Sequence, residues 1–394
     1  MPKEWTNWSE SIKFSPEVTK RPQSEEEVQQ TVIKARADEK KIRVVGAGHS
    51  SVPLVKTDQI LLAQDRLKGL VGHNPQARSV KFLPGTDIKE TGEALIKLKL
   101  SMHNTGDVDM QFLGGAFGTG THGSGKKLKN LSSMVIGCRL VDGTGSVREI
   151  TENEPDLLNA SRISLGALGI FTEFTLQTDP AKKYLRQESW THFQDCIDNL
   201  EDLIDNNEMF DFYWYPRNDL VKLRMCNPVV NDGANFSFGK AEKEVQGWLY
   251  EILPQDRDLK YEEMEYMLPI AAGPDCFREI RKRIKKKHRH YVGWRVLYRT
   301  IAADDMYLSP SYQQDTVSIA ILQNHQLEYQ SYFDDIEPIF RAYGGRPHWG
   351  KKHSLTSDEL GLLYPEWNRF LELRKELDPE GIFLNDYLKQ ILGI

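Results

Sequence analysis

The chain has 394 residues, which is long for a single hydrophobic core and predicts two domains. Its 51 basic and 57 acidic residues leave a net charge of -6 at pH 7, and this balance does not favour nucleic acid as a partner. No apolar run reaches the roughly 18 residues of a membrane span, and the N-terminal sequence lacks the apolar region of a secretory signal. The four cysteines lie far apart without a C-x-x-C pair, so we expect free thiols, a cytoplasmic location and no metal site.

Helices and strands are predicted to alternate over the first 180 residues. Residues 24–38 have the apolar stripe of a helix, and Ser24 and Glu27 form a capping box at its start. The next elements are three strands and an amphipathic helix, predicted at 41–45, 58–63, 79–83 and 86–100. The region is completed by a glycine-dense loop at 114–125, a hairpin turning at Asp142 and Gly143, a short helix from Pro155 and a strand at 170–178.

The composition changes after a domain boundary that we predict near 178–182. Aromatic residues become frequent there, and the glycine loops disappear until the last fifty residues. The segment 277–291 carries eight basic residues and is either a phosphate-binding patch or the solvated face of a helix. We favour the helix, because Phe277, Ile280 and Ile284 have the spacing of a buried stripe.

Two segments resemble phosphate-binding motifs but depart from them. The stretch VVGAGHSS (44–51) begins like the G-x-G-x-x-G turn that binds dinucleotides. Its third glycine position is Ser51, however, and Pro53 stands where the helix that receives the pyrophosphate would run. The segment 120–126 fits the phosphate-loop pattern G-x-x-x-x-G-K, but Lys127 replaces the Ser or Thr that binds magnesium. We therefore expect neither a Rossmann turn nor an NTPase site.

Two separate glycine loops remain to be explained, at 46–48 and 114–125. Glycine-rich backbone exposes N–H groups that can cradle an anion without side chains. Two such loops suit a large, doubly phosphorylated, planar ligand that lies between them. The alternative is a pair of structural turns, which we disfavour because six glycines fall within the twelve residues of the second loop.

These loops belong to a recognisable set of motifs. GAGHS at 46–50, GGAFGTGTHGSG at 114–125 and SLGALGIFTEFTL at 164–176 resemble the FAD-binding domain of the vanillyl-alcohol-oxidase superfamily. The tail, with GGRPHWGK at 344–351 and DPEGIFLNDYL after it, resembles the aldonolactone and alditol oxidase branch of that superfamily. The motifs occur in the family's order, which makes the resemblance specific, whereas 180–290 matches only through its position.

The resemblance implies an α+β fold in three parts. Residues 1–178 would form a two-subdomain FAD-binding domain, 179–340 a substrate or cap domain built on an antiparallel sheet, and 341–394 a C-terminal segment that packs back towards the flavin. The implied activity is FAD-dependent oxidation of the hydroxyl of a sugar-1,4-lactone, by hydride transfer to flavin N5. An alditol, another carbohydrate or another alcohol is the alternative substrate, and a nucleotide-binding module without redox chemistry is a different class. The electron acceptor would be oxygen, a cytochrome, a quinone or a dye.

The resemblance also assigns cofactor-binding residues. The family's covalent 8α-histidyl flavin link falls on His49, and a loop histidine that only forms hydrogen bonds is the alternative. An imidazole nitrogen is a competent nucleophile towards an electron-poor flavin methyl carbon. The residues carried over from the family's motifs are Gly46, Ala47, Gly48, His49, Ser50, Gly114, Gly115, Gly118, Thr119, Gly120, Thr121, His122, Gly123, Gly169 and Ile170.

The catalytic residues that the resemblance implies are Arg299, Lys351 and His348. Related enzymes use a Glu-x-Arg strand and the lysine of an HWGK-type motif, but here Leu297 stands at the glutamate position. An error of one residue in the register is the alternative explanation. We expect desolvation and the charge of Arg299 to lower the pKa of Lys351, so that Lys351 takes the hydroxyl proton or positions the hydroxyl. Arg299 would stabilise the reduced flavin, and His348 is either a second candidate base or a packing residue.

Overall fold

The structure is a computed structural model, and it describes residues 4–229, 237–254 and 259–394. The first eleven strands are β1 (Trp5–Thr6), β2 (Lys13–Phe14), β3 (Val18–Lys20), β4 (Ile42–Val45), β5 (Ile60–Ala63), β6 (Leu70–Asn74), β7 (Ser79–Phe82), β8 (Leu100–Ser101), β9 (Val135–Val141), β10 (Val147–Thr151) and β11 (Ile170–Gln177). The helices between them are α1 (Glu25–Ala37), α2 (Ile88–Lys97), α3 (Leu113–Gly118), a 3₁₀ turn (Leu131–Met134) and α4 (Pro155–Arg162).

The second half of the chain contains longer strands. They are β12 (Asp179–Pro180), β13 (Lys183–His192), β14 (Met209–Tyr215), β15 (Leu220–Pro228), β16 (Lys240–Trp248), β17 (Tyr261–Pro269), β18 (Val296–Ile301), β19 (Thr316–Asn324) and β20 (Arg346–Pro347). The helices are α5 (Phe193–Asp198), α6 (Leu200–Asp205), α7 (Leu249–Ile252), a 3₁₀ turn (Ile270–Ala272), α8 (Gly273–Arg283), a π-helical turn (Ile284–His288), α9 (Gln330–Ala342), α10 (Ser357–Leu363), α11 (Trp367–Leu377) and α12 (Asp386–Leu392).

The N-terminal part contains two main sheets that differ in strand pairing. Strands β3 and β4 flank β5 in a parallel sheet, and the apolar, fully buried sequence of β5 is typical of a parallel strand covered on both faces. A five-stranded antiparallel sheet has the order β10-β9-β11-β7-β6. Helix α1 buries its predicted stripe against residues of both sheets, including Ile42, Val141 and Ile170, so one core joins the two sheets.

The C-terminal part is built on an eight-stranded antiparallel sheet in the order β16-β13-β15-β14-β18-β19-β17-β20. Side chains alternate between the two faces along each strand. One face packs on α5, α6, α8 and α9 in a large apolar core that contains Phe212, Phe277 and Tyr298. The opposite face presents Tyr213 and Leu297 in a separate, smaller cluster. This second face lines the candidate site described below.

The predicted helices form, but their ends differ from the predictions. Helix α2 is shorter than 86–100 because Asp87 caps its first turn and Lys99, with a φ of 60°, follows its last turn. The segment 114–125 was predicted entirely as a loop, and this is wrong for its first residues, which lie in α3. Leu113 and Phe117, which are 0% and 2% exposed, anchor α3 in the core, and this packing outweighs the low helix propensity of glycine.

The basic segment continues α8 through the π-helical turn, and Phe277, Ile280 and Ile284 are buried as predicted. Its charges form ion pairs with two aspartates. Asp219 pairs with Arg281 and Lys285, whereas Asp335 pairs with Arg283, Lys287 and His288. The acidic partners neutralise much of the segment, which favours a helix face over a phosphate-binding patch.

The C-terminal segment packs against the N-terminal sheets. The backbone N–H of Ile42, at the start of β4, donates to the carbonyl of Ile382 at 2.8 Å, and Ile382 and Phe383 join the core of α1. All four cysteines are buried free thiols. None of the helices in the described ranges has both the length and the apolar character that a membrane crossing requires.

Candidate functional site

Two neighbouring cavities define the candidate site, and Gln111 lines both of them. The larger cavity, of about 940 Å³, is lined by the two glycine loops and by residues of 164–169. The smaller cavity, of about 600 Å³, is lined mainly by the charged face of the eight-stranded sheet.

The first glycine loop leaves β4 and turns at Gly48. Gly48 has a φ of 74°, and a Cβ atom there would lie 2.9 Å from the ring of Trp5, so both conformation and space require glycine. The loop is fixed from both sides. Asn7 donates to the carbonyl of Ser50 at 3.0 Å, and the N–H of Ser51 donates to the carbonyl of Gly350 at 2.8 Å.

The second glycine loop presents bare backbone to the larger cavity. Built Cβ atoms at Gly115 and Gly118 meet no protein atom within 4 Å, although Gly118 itself is buried. Open space beside a buried glycine means that its missing side chain would project into the cavity. Glycine therefore keeps this wall flat for a ligand that lies close to the backbone.

Arg43 links the segments that surround the larger cavity through hydrogen bonds. Its side chain is 2% exposed. It donates hydrogen bonds to the carbonyls of Leu54 at 2.7 Å, Leu165 at 2.9 Å and Gly166 at 3.0 Å, and to the carbonyl of Phe383. One buried guanidinium thus joins β4 to three other segments of the chain.

His49 lies at the wall of the larger cavity, directly after the first loop. Its ring stacks on Trp8, with 5.3 Å between ring centroids and an angle of 28° between the planes. Trp8 in turn contacts Tyr261 of β17 edge to face, at 5.1 Å between centroids. The three rings connect the first glycine loop with the wall of the smaller cavity.

The sheet wall of the smaller cavity follows the cross-strand register. Leu297 of β18 lies opposite Tyr213 of β14 on one side and opposite Ala320 of β19 on the other, and Ala320 lies opposite Glu265 of β17. Residues directly opposite each other point to the same face. The four side chains therefore form one line across the sheet, which we call the cross-strand row. Tyr213, Leu297 and Glu265 border the cavity.

Lys351 borders the smaller cavity and is paired with a carboxylate. Its Nζ atom bonds to Glu263, which is on the same face of β17 as Glu265. Burial alone would lower the pKa of Lys351, but Glu263, Tyr261 and Glu265 raise it above its ordinary value. The prediction of a lowered pKa is therefore wrong, because the carboxylates outweigh burial. Lys351 remains a cation, which donates hydrogen bonds and does not take a proton.

Glu265 is 3% exposed and is held through its Oε1 atom. Ser318 Oγ donates to this atom, and His122 Nε2 lies 3.1 Å from it. Burial raises the pKa of Glu265, but His122, His348 and Lys351 more than offset this effect and hold the pKa well below its ordinary value. Glu265 is therefore an ionised carboxylate in the wall of the cavity.

His348 faces the same cluster. One nitrogen or oxygen atom from each of His122, Glu265 and His348 lies within 4.8 Å of the others. The Nδ1 atom of His348 accepts a hydrogen bond from the backbone N–H of Gly350 at 3.0 Å, and burial lowers the pKa of His348 to about 3. His348 is consequently neutral near pH 7, and its Nδ1 atom is already engaged by the backbone of its own loop.

Arg299 belongs to a buried charge cluster that joins the two parts of the molecule. It bonds to Asp107, which lies between α2 and α3, at 2.7 Å. Arg224 bonds to Asp107 at 2.9 Å and also to Asp211, and Tyr213 donates to Asp107 at 2.7 Å. Burial lowers the pKa of Arg299, but Asp107 and Asp211 raise it overall, so its charge is permanent.

The structure divides the predicted site residues between the two cavities. Ten of the predicted cofactor-binding residues line the larger cavity: Gly46, Ala47, Gly48, His49, Ser50, Gly114, Gly115, Gly118, Thr119 and Gly169. The smaller cavity is lined by Thr121 and His122, together with the three predicted catalytic residues Arg299, His348 and Lys351.

Three predicted cofactor-binding residues line neither cavity. Ile170 is 0% exposed and its side chain lies in the core of α1, so a cofactor-binding role for it stays a prediction. A Cβ atom on Gly123 would meet the side chain of Asn104 at 2.1 Å, so this glycine serves close packing. Gly120 has a φ of 71° and faces Ile163, so it serves the turn after α3.

Several residues of the site were missed by the sequence analysis: Arg43, Asp107, Tyr213, Tyr261, Glu263, Glu265 and Arg295. One signal was available for β17. Its sequence YEEMEYMLP places Tyr261, Glu263 and Glu265 at alternate positions, on one face of the strand. Carboxylates are costly to bury unless they are paired and hydrogen-bonded, so their presence in a strand rich in apolar residues indicates a polar site.

Family models match two segments of the chain. Residues 16–151 match the FAD binding domain, and residues 224–391 match the D-arabinono-1,4-lactone oxidase family. Solved structures share the fold: cholesterol oxidase from B. sterolicum superposes with a TM-score of 0.89 and 15% identity, covering 100% of this chain and 97% of that one. The matched domain defines an FAD-binding protein, and the solved structures show that the whole chain shares their fold.

Curated relatives make the assignment more specific. L-gulono-1,4-lactone dehydrogenase from Mycobacterium tuberculosis is 30% identical, covering 99% of each chain. L-gulonolactone oxidase from Mus musculus is 26% identical and alditol oxidase from a Streptomyces species is 28% identical, each covering 98% of both chains. The chain belongs to the vanillyl-alcohol-oxidase-type aldonolactone oxidoreductase family.

Proposed function

We propose that this protein is an FAD-dependent oxidoreductase that oxidises a hydroxyl group of a sugar-1,4-lactone. The observation that carries the proposal is the junction of the two cavities, at which a glycine-lined cavity adjoins a smaller cavity rich in charged groups. Charged and hydrogen-bonding side chains in a buried wall suit a ligand with several hydroxyls. The lactone dehydrogenase and oxidase relatives support the same substrate class. An alditol is the second candidate, supported by the alditol oxidase relative.

We assign a separate role to each of the three segments predicted from the sequence. Residues 1–178 bind FAD, 179–340 cover the flavin and hold the substrate, and 341–394 close the site. Support comes from the walls of the cavities, because the larger cavity is lined by residues of the first segment and the sheet wall of the smaller cavity by residues of the second. The third segment contributes Lys351 and the carbonyl of Gly350 that fixes the first glycine loop.

The larger cavity suits FAD because glycines in its wall leave open space next to the backbone. Gly115 and Gly118 expose backbone, and the first loop adds further N–H groups for the phosphates. His49 is the proposed covalent attachment point, since it stands at the cavity wall after this loop. The chemistry that the flavin supplies when bound is acceptance of a hydride from carbon.

The charged residues of the smaller cavity are proposed to orient the substrate. Lys351 can donate a hydrogen bond to a substrate oxygen while Glu263 holds its ammonium group in place. Arg299 is fixed by Asp107 and provides a permanent positive charge, which stabilises negative charge that develops nearby. Replacing Lys351 by Met removes a charged hydrogen-bond donor, and it is expected to slow flavin reduction by substrate at least ~10²-fold while FAD stays bound. Undiminished reduction in stopped-flow absorbance would remove Lys351 from the reacting groups.

Covalent attachment is tested by denaturation. The purified protein is expected to be yellow, and acid-precipitated protein should keep its flavin fluorescence on a denaturing gel. His49→Ala is expected to release the flavin, because it removes the nucleophilic nitrogen. His73→Ala, which changes an exposed histidine on β6, is the matched control and should keep it. Flavin that washes off the denatured wild-type protein would exclude the link but not FAD binding.

The substrate class is tested by anaerobic bleaching of the flavin. Gulono-, galactono- and arabinono-1,4-lactones are expected to reduce it, and alditols to do so more slowly. Reduction by alditols alone would favour the second candidate, and reduction by neither class would refute the proposed function. Reoxidation by oxygen, a cytochrome, a quinone or a dye then identifies the acceptor. We place the protein in the cytoplasm, because four buried free thiols suit a reducing compartment.

A further inference from the structure

Leu297 stands where the resembled family carries a glutamate, but the same cross-strand row contains a carboxylate. Glu265 is two strands away from Leu297 along this row, with Ala320 between them. Neighbouring strands are about 4.8 Å apart, so the two backbone positions are separated by about 10 Å. Ala320 has a short side chain, so no larger side chain stands between Glu265 and Leu297 along this row. Both side chains border the smaller cavity.

The hydrogen bonds of His122 indicate the charge of its pair with Glu265. The carbonyl oxygen of Gly123 can only accept, so the Nδ1 atom that lies 2.9 Å from it carries a proton. The contact of 3.1 Å between Nε2 and Glu265 requires a second proton on one of the two groups. Ser318 donates to the same carboxylate oxygen, which favours an ionised Glu265 and an imidazolium at His122.

The two carboxylates of β17 have different surroundings. Glu263 is engaged by the ammonium group of Lys351. The hydrogen bonds from His122 and Ser318, by contrast, both end on Oε1 of Glu265 and hold that carboxylate in one orientation. This arrangement fixes the orientation of the Glu265 carboxylate at the wall of the smaller cavity.

We propose that Glu265 accepts the proton of the substrate hydroxyl and thereby replaces the carboxylate that is missing at Leu297, with His122 as its positioning residue. The proposal rests on the proposed function. In the step, the C–H bond breaks with its electron pair, which leaves as a hydride to the flavin. The O–H bond breaks, its electrons form the second bond of the carbonyl group, and its proton passes to Glu265. A hydroxyl on a carbon that is losing hydride becomes strongly acidic, so a carboxylate of lowered pKa is basic enough to take its proton.

The first experiment exchanges the position of the carboxylate. Glu265→Gln is expected to slow flavin reduction by the lactone at least ~10²-fold at unchanged FAD content, the lower end for a lost general base. Adding Leu297→Glu to this variant is expected to restore the rate at least ~10-fold, because it returns a carboxylate to the same row. Glu262→Gln is the matched control, since Glu262 is a neighbouring buried carboxylate on the opposite face of β17, and it should retain the wild-type rate.

A second measurement does not depend on turnover. In ¹⁵N-histidine NMR spectra, with His122→Gln used for assignment, both ring nitrogens of His122 are expected to carry protons in the wild-type protein. In Glu265→Gln only Nδ1 is expected to carry one, because the neutral amide no longer stabilises an imidazolium. A neutral His122 in the wild-type protein would overturn the proposal, since Glu265 would then already hold the proton.

The outcomes separate the two claims. Wild-type flavin that no lactone or alditol reduces refutes the proposed function and with it the assignment of Glu265. Rapid reduction in Glu265→Gln, with an active wild type, refutes the assignment of Glu265 alone. If Glu265→Gln does not fold, Glu265→Asp keeps the charge but withdraws the carboxylate by one methylene group. It is then expected to slow reduction at least ~10-fold, and an unchanged rate would overturn the proposal.

Discussion

Gly118 offers the sharpest test of where the cofactor lies. It is buried at the end of α3, its φ is not in the left-handed region, and a Cβ atom there meets no protein atom within 4 Å. Gly118→Ala should therefore stabilise the flavin-free protein by about 0.4–1 kcal/mol, because it restricts the unfolded chain without strain in the folded one. In a chain of 394 residues the gain corresponds to a Tm increase of about 0.5–1 °C.

The same substitution should weaken flavin binding. The added carbon projects into the larger cavity, and overpacking of a fitted site costs roughly 1–3 kcal/mol, which corresponds to about a 5- to 150-fold increase in Kd. Gly118→Leu fills more of the cavity and should abolish loading. Kd is measured by flavin fluorescence quenching in a His49→Ala background, where binding is reversible if the covalent link is as proposed. Gly361→Ala, in α10 and outside both cavities, is the control. Wild-type loading of Gly118→Leu would refute the proposed position of the flavin.

Three further predictions concern other parts of the molecule. Lys126→Ala should change the free energy of unfolding by less than about 1 kcal/mol and leave the flavin content unchanged, because Lys126 forms an exposed ion pair with Asp205. If the wild-type protein hydrolysed ATP and this variant did not, the flavoprotein assignment would be contradicted. Arg43→Leu removes the donor to the carbonyls of Leu165, Gly166 and Phe383, at about 1–3 kcal/mol each, whereas the carbonyl of Leu54 keeps a bond from Asn385. Calorimetry should therefore show a Tm about 4–11 °C lower, and an unchanged Tm would contradict this role of Arg43. Burial raises the pKa of Asp335, but its three basic partners lower it overall, from 3.8 to about 2. These ion pairs therefore contribute at most about 2 kcal/mol to the free energy of unfolding above pH 4, and progressively less as the pH falls towards 2. Thermal melts of Asp335→Asn and wild type should therefore differ more at pH 7 than at pH 3, and an equal difference at both would contradict the linkage.

The parts of the fold that depend on local sequence were predictable. The Ser24 hydroxyl accepts from the N–H of Glu27 as the capping box predicts, although the carboxylate of Glu27 bonds to the N–H of Gln23 rather than to that of Ser24. The apolar stripe of α1 and the first glycine loop also lie where their patterns indicate. Each of these predictions uses spacing within about fifteen residues, over which backbone geometry alone decides which side chains share a face.

The charged wall of the smaller cavity was not predictable, because it depends on the order of strands in the sheet. β17 precedes β18 in the chain but lies beyond β19, so the neighbourhood of Glu265 and Leu297 is not visible from their positions in sequence. The pKa of Lys351 was predicted in the wrong direction for the same reason. Its partner Glu263 is 88 residues away, and without it only burial and Arg299 were considered.

The return of the chain end to β4 has a consequence for biosynthesis. Arg43 and its acceptor Phe383 are 340 residues apart, and the neighbouring Ile42 is covered by Ile382. At about 5–20 residues per second, the ribosome needs roughly 17–70 s to supply these partners. Until then the nascent N-terminal part has an exposed apolar strand and an arginine without its full set of acceptors. We therefore expect flavin capture to follow the synthesis of residues 382 and 383. Removal of residues 382–394 should lower the flavin content, although none of these residues lines the larger cavity.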